Sequence, residues 1–398
     1  MSNIVNAERV HIGIFGLRNV GKSSLINSLT NQNIAIVSDV AGTTTDPVKK
    51  SMELLPIGPV VIIDTPGLDD EGELGLLRVK KAKQVLNYID LAIVVRDIER
   101  INLRKEEEII NLIKSKNVPY IVVYNKIDRY NPVNELVLSE NEYVVSAKTG
   151  EGIEKLKDDI GKVLKKDTEK RIVQDLVKEN DTVVLVIPID AGAPKGRIIL
   201  PQQQVLRELV DKQVSVVIAS PENLSSTLEK LNKKPDLVIT DSQVFGKVDK
   251  IVSEDILLTS FSILFARYKG NLETLVKGVK GLDKLEDSSI VLISEGCTHH
   301  RQCEDIGTVK MPKWIKEYTG KDINFEFTSG GEFPEDLSKY DLIVHCGGCM
   351  INEREMHYRL AQANDPECNI TNYGMTIAKI HGILERSLKP FKEMEKYL

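Results

Sequence analysis

Cysteine is missing from the first 296 residues of this 398-residue chain. A secreted disulfide scaffold would be shorter, denser in cysteine and usually even-numbered, so that class is excluded. Tryptophan occurs once, at Trp314, and aromatic residues make up only 5% of the chain. That is too little for a stacking platform for single-stranded nucleic acid. A basic surplus is missing too: 53 Lys and Arg face 59 Asp and Glu, a formal charge of −6. Proteins of duplex DNA or anionic membranes carry a concentrated basic face, so no nucleic acid and no membrane is expected as a partner. There is no run of about eighteen apolar residues, and segment 1–10 lacks the apolar centre of a signal peptide. The expectation is a soluble, cytoplasmic protein.

The residues present support a core: 41% are hydrophobic and 28% charged, which argues against disorder. The length suits two or three domains. All five cysteines lie between positions 297 and 368, in the last quarter of the chain, which also holds five of the six histidines. In a reducing compartment that clustering favours a metal site or catalysis over buried thiols acting as small hydrophobes.

Three α/β stretches follow one another. From His11 the chain alternates short apolar runs (11–15, 60–64, 91–95, 120–124) with charged helical stretches (22–30, 76–88, 105–116). Such continuous runs are expected of strands buried on both faces of a parallel sheet. The charged segment 162–178 reads as a closing helix and a linker. A second βα series starts at Thr182, and a helical stretch near 261–285 leads to a third. The expected division is 1–168, a P-loop nucleotide domain; 169–258, an α/β module for self-association; and 259–398, a Cys/His-bearing domain. The last two are expected to be Rossmann-like.

The segment Gly16-Leu-Arg-Asn-Val-Gly21-Lys22-Ser23 has the P-loop pattern, with a strand before it and a helix after. Backbone N–H groups from Gly16 to Ser24, including those of Asn19 and Val20, can turn around phosphates at the helix N-terminus. Lys22 is placed for the β- and γ-phosphates, and Ser23 for Mg²⁺. Asp64-Thr-Pro-Gly67 ends an apolar strand, where Asp64 holds Mg²⁺ through water and the Gly67 N–H senses a γ-phosphate. Thr44, within Gly42-Thr-Thr-Thr-Asp46, completes the Mg²⁺ shell. Asn125-Lys126-Ile-Asp128 ends another strand, and the Asp128 carboxylate can accept both N1–H and N2–H of guanine. Adenine offers no such pair of donors. Ser146-Ala147-Lys148 would brace the guanine O6. In order and spacing these segments match the translation-factor-related GTPases, which makes GTP and GDP the expected nucleotides. Leu68 stands where Ras-like enzymes place a water-orienting Gln, so slow intrinsic hydrolysis is expected. Asn19 together with 42–46 resembles the potassium-activated tRNA-modification GTPases, in which an Asn at this place helps hold K⁺ beside the phosphates.

A second constellation is Cys297-Thr-His299 followed, after forty-five residues, by His345-Cys346-Gly-Gly-Cys349. Each half runs on from an apolar strand, and ligands in open α/β sheets bind at such ends. Thiolates are soft donors that suit an Fe–S cluster or zinc, and spacing alone does not choose between them. Zinc would be closed as Cys₃His by His299 or His345, whereas a cubane on three cysteines would keep one exchangeable iron. Cys303 is an alternative ligand, and Cys368 an ordinary thiol. Two further readings are a tRNA- or ribosome-associated GTPase with structural zinc, and a redox-sensing GTPase with a Cys346–Cys349 disulfide.

A potassium-type GTPase domain, a middle α/β segment and a C-terminal Cys-x-His…His-Cys-x-x-Cys motif together resemble the [FeFe]-hydrogenase maturation GTPases. The resemblance covers essentially the whole chain. It implies a homodimeric scaffold or carrier with a GTPase domain, a dimerisation domain and a [4Fe–4S]-binding domain. Cys297, Cys346 and Cys349 would hold the cluster, with His299 and His345 as exchangeable ligands or supporting groups. The cargo would be a transient diiron precursor built by two radical-SAM maturases and passed to the apo-hydrogenase.

Overall fold

Unbroken apolar runs form the centres of three sheets. The computed structural model describes residues 6–30, 46–67, 72–100, 103–129, 138–164, 170–189, 198–296, 305–363 and 369–397. The chain divides into two compact units, 1–168 and 169–398.

In the first unit the strands are β1 (Val10–Phe15), β2 (Val48–Leu54), β3 (Gly58–Asp64), β4 (Leu91–Asp97), β5 (Tyr120–Asn125) and β6 (Glu142–Val144), in the order β2-β3-β1-β4-β5-β6. All neighbours run parallel except β2, which pairs antiparallel with β3 from Val48 opposite Asp64 to Leu54 opposite Gly58. Every residue of β4 is buried, as the middle strand of a sheet covered on both faces requires. Helices Lys22–Thr30, Gly72–Leu86, Leu103–Ser115 and Ile153–Leu164 accompany the sheet.

The second unit holds two four-stranded sheets, both wholly parallel. One consists of β7 (Thr182–Val186), β8 (Ser215–Ala219), β9 (Leu237–Thr240) and β10 (Leu257–Ser260), in the order β10-β9-β7-β8. The other consists of β11 (Ile290–Glu295), β12 (Asn324–Ser329), β13 (Leu342–His345) and β14 (Asn369–Asn372), in the order β12-β11-β13-β14. One apolar core extends through both, from Ile172 to Met394. Side-chain caps set several helix starts here: Ser260, Asn271, Asn352 and Asn372 each accept from the backbone N–H three residues on. Helices Phe261–Lys269 and Tyr373–Ile380 thus begin directly at the ends of β10 and β14. Among the described residues, no helix is long and apolar enough to cross a membrane.

Candidate functional sites

The parallel register of β1, β3 and β5 brings their carboxyl ends to one edge, and the nucleotide motifs sit there. Ile14 is opposite Asp64 in the β1–β3 ladder. Ser23, in the first turn of helix Lys22–Thr30, donates from Oγ to Asp64 Oδ2 at 3.0 Å, which joins two of the side chains expected to serve Mg²⁺. Burial pushes the Asp64 carboxyl above its ordinary range, against the pull of Lys22 and of the Ser23 hydrogen bond. Lys22 Nζ lies across the loop and donates to the carbonyls of Leu17 at 2.8 Å and Gly16 at 3.1 Å. Ser24, half-buried, follows in the first helical turn, and Gly67 is buried beyond Asp64.

The base-recognition segment is bonded to the P-loop. Asn125 donates from Nδ2 to the Val20 carbonyl at 3.0 Å and accepts from the Ala147 N–H at 3.0 Å. One side chain thereby ties the P-loop to the segment expected to recognise the base. At Gly21 the backbone has φ +93°, and a Cβ there would stand 2.3 Å from Asn125 Nδ2, so only glycine fits. Lys126 Nζ donates to the Asn19 carbonyl at 2.8 Å and pairs with Asp97 at 2.5 Å. Asn19 itself is left-handed at φ +59°, a conformation asparagine tolerates better than most side chains. Ser146 is buried and donates from Oγ to Asp128 Oδ1 at 2.7 Å. This bond holds the exposed Asp128 carboxylate below its usual range, with lesser help from Lys148 and Arg129. Thr44 and Leu68 lie outside the described residues, while Asp46 pairs with Lys81 at 3.1 Å.

Motif reasoning missed Asp97. It ends β4 as Asp64 ends β3, directly opposite Asn125, and that shared position was its only signal.

At the second site, β11 and β13 are adjacent and parallel, with Ser294 opposite His345. Cys346 therefore comes beside residue 296: the Gly296 N–H donates to Cys346 Sγ at 3.0 Å, and the Gly348 N–H to the same sulfur at 3.4 Å. Gly348 is left-handed at φ +63°, and a Cβ there would collide with Met356 Cε at 2.3 Å. Cys346 and Cys349 are half-buried free thiols. Burial pushes the Cys346 thiol up to about 11, although both N–H donors oppose the shift. Burial also raises Cys349, and the ammonium of Lys269 offsets part of that rise.

His345 is buried, and both ring nitrogens are engaged. Arg359 Nη1 lies 3.0 Å from Nε2, and a guanidinium can only donate, so Nε2 accepts. The proton then sits on Nδ1, which donates to the Cys346 carbonyl at 2.7 Å. Burial, with the nearby Arg359 charge, lowers this imidazole to about 3. Arg359 also donates to the Gly330 carbonyl at 2.6 Å and pairs with Glu355. Nothing in the sequence around Arg359 marks it out; its role comes from the sheet edge against which it packs.

Among the described residues, no three His, Cys, Asp or Glu side chains gather as a metal set. Cys297, His299, Cys303 and Cys368 lie outside them. The described part of the constellation, Cys346 and Cys349, fits a thiolate-ligated metal group: two soft donors on one tight turn, with backbone N–H groups aimed at the Cys346 sulfur. His357 is exposed and lies 3.4 Å from Glu353, while His381 follows helix Tyr373–Ile380 and packs against Gly246.

Comparison with known proteins agrees with this architecture. Residues 11–126 match the family model of a 50S ribosome-binding GTPase. Residues 172–270 match the Hydrogen maturase F dimerization domain, and 273–390 the Hydrogen maturase F tetramerization domain. A tRNA modification GTPase MnmE of Legionella pneumophila is 38% identical over 163 residues, covering 39% of this chain and 35% of that protein. GTPase Der of Mycoplasmopsis agalactiae is 32% identical over 205 residues, 46% of each chain. The chain thus spans less than half the length of these curated relatives. Among solved structures, Aquifex aeolicus Era bound to GDP.AlF4- aligns with 53% of this chain and 92% of its own, at 25% identity and TM-score 0.35. The first unit is a P-loop GTPase domain, and GTP hydrolysis is the activity it carries. The second unit carries domains that the family uses for oligomerisation. With a GTPase domain ahead of both maturase domains, the protein belongs to the hydrogen maturase F family, the GTPases of hydrogenase maturation.

Proposed function

We propose that the protein is a GTP-hydrolysing scaffold that binds a [4Fe–4S] cluster and carries a diiron precursor to apo-[FeFe]-hydrogenase. The observation that supports the cluster site is the hydrogen bond from the Gly296 N–H to Cys346 Sγ. It puts the residue just before Cys297 against the sulfur of Cys346, at neighbouring strand ends. Cys297, Cys346 and Cys349 would hold the cluster, which would supply one iron able to take an exogenous ligand. The occupied ring nitrogens of His345 suit a supporting role, in which its Nδ1–H holds the Cys346 carbonyl. His299 remains the candidate exchangeable ligand.

The chain's own residues divide the remaining work. Lys22, Ser23, Asp64 and Thr44 hold the triphosphate and Mg²⁺, and Asn125, Asp128, Ser146 and Ala147 hold guanine. Asn19 is assigned to a K⁺ ion that supplies charge beside the phosphates. The expected assembly is a homodimer at least, and two radical-SAM maturases supply the cargo. GTP acts as a switch for partner engagement or release.

Anaerobic reconstitution with iron and sulfide tests the cluster. About four irons and four sulfides per chain are expected for one cubane, lost in Cys297→Ala, Cys346→Ala or Cys349→Ala and kept in Cys368→Ala. Colourless protein with stoichiometric zinc would sink the scaffold reading in favour of a GTPase with structural zinc. For the carrier role, cargo-loaded protein is incubated with apo-hydrogenase and hydrogen production is measured. GTP hydrolysis in K⁺ should exceed that in Na⁺, and equal rates would remove the assignment of Asn19.

A further inference from the structure

Helix Phe261–Lys269 leaves the first sheet of the second unit at β10 and ends against the cysteine turn. Its start is fixed by Ser260, whose Oγ accepts from the Ile263 N–H at 3.3 Å. Arg267, near its end, holds Asp175 through both Nη atoms at 2.7 Å and donates to the Ile172 carbonyl at 2.9 Å. The helix is thus anchored at its start to the end of β10 and near its end to segment 172–175, ahead of β7. Its last residue, Lys269, is only 3% exposed.

Lysine is rarely buried to this extent, because dehydrating an ammonium is costly unless its donors are met. Here Lys269 Nζ donates to the carbonyls of Cys349 and Ile351, each at 3.2 Å, and lies 3.5 Å from that of Gly348. Three carbonyls of one turn therefore converge on a group with three N–H donors. Lys269 belongs to the stretch matched by the dimerization domain, and the turn to the stretch matched by the tetramerization domain.

We infer that Lys269 is a positioning residue of the cluster site: it shapes the turn that presents Cys349, and its charge favours the reduced state of a cluster held there. The inference rests on the cluster reading above. The shaping follows from the three carbonyls, which repel one another unless a cation gathers them. The electrostatic part follows from sign. Reduction adds one negative charge to the cluster, and a buried cation nearby stabilises that charge more than water would. The same contact ties the assembly helix to the metal loop, so a shift of that helix carries the backbone of Cys349 with it.

Full-length wild-type protein, Lys269→Met and Lys269→Arg are reconstituted anaerobically with iron and sulfide. Iron and sulfide per chain, the midpoint potential and the electron paramagnetic resonance line shape of the reduced cluster are then measured. Lys269→Met, which keeps chain length without charge or donors, should lower the reduced-to-oxidised ratio at the wild-type midpoint about tenfold, about 59 mV for one electron. Its line shape should change, and Lys269→Arg should restore most of both. A folded Met variant that takes up no iron, with uptake restored by Arg, also supports the assignment. If Lys269→Met does not accumulate folded, Lys269→Gln carries the same comparison. Full iron with unchanged potential and line shape in the neutral variant overturns the role of Lys269 alone. Wild-type protein that takes up no iron overturns the cluster reading, and this inference with it.

Discussion

Arg359 donates to Nε2 of His345 across 3.0 Å, and neither side chain reaches solvent. Because a guanidinium never accepts, this single contact decides the tautomer of the imidazole and directs its proton at the Cys346 carbonyl. Replacing Arg359 by Met strands Glu355, the Gly330 carbonyl and the ring nitrogen at once. The expected cost is about 3–5 kcal/mol, as for other broken buried pairs. Chemical denaturation followed on the second unit measures it. Arg359→Lys should recover little, since an ammonium cannot span His345, Gly330 and Glu355 together.

Gly21→Ala tests the bridge from the P-loop to the base segment. The added methyl would meet Asn125 Nδ2 at 2.3 Å on a backbone at φ +93°. Asn125 must then give up Val20 or Ala147. A loss of about 1–3 kcal/mol in stability is expected, together with weakened GTP binding. Thermal melting and a fluorescent-nucleotide titration read the two effects separately.

Asp128→Asn should weaken GTP by about 1.5–3 kcal/mol, roughly ten- to a hundredfold in Kd, because hydrogen bonds to a carboxylate are lost. Selectivity over ATP should fall with it. Undiminished preference for GTP in a competition titration would rule out Asp128 as the group that reads the base.

His11 makes the GTPase unit acid-sensitive. Burial pushes this imidazole down to about 4, Lys49 adds to the shift, and the bond to the Arg9 carbonyl opposes it. Tyr88 meets the ring edge-on, and Asp90 accepts from the His11 backbone N–H. Between about pH 6.5 and about 4, the unfolded chain takes up a proton that the folded unit refuses. Stability should therefore fall through that window as the pH drops, by a few kcal/mol at most, and level off below it. His11→Gln should flatten this part of the stability profile measured by denaturation.

The nucleotide site was legible because its chemistry is local. Each motif is a few consecutive residues at the end of an apolar strand, and β1, β3, β4 and β5 are apolar enough to be seen. The strand β2 was not, because Val48-Lys-Lys-Ser-Met-Glu-Leu54 is an edge with mostly exposed residues and carries no apolar period. The strands β12 and β14, Asn324-Phe-Glu-Phe-Thr-Ser329 and Asn369-Ile-Thr-Asn372, are short edge strands with too few apolar residues to stand out. Lys269 and Arg359 were invisible for a different reason. Lys269 meets a carbonyl 80 positions away, and Arg359 a histidine 14 positions back on another element. Such contacts exist only once the sheets have formed.

The core shared by the two parallel sheets of the second unit has a thermodynamic consequence. Residues from β7 to β14 bury against one continuous interior, so neither sheet has a melting transition of its own. The oligomerisation domains and the cysteine loop proposed to hold a cluster should then be gained and lost together, in one cooperative step. A chain damaged anywhere in that interior forfeits both, which keeps a defective loop from being displayed on an otherwise competent assembly.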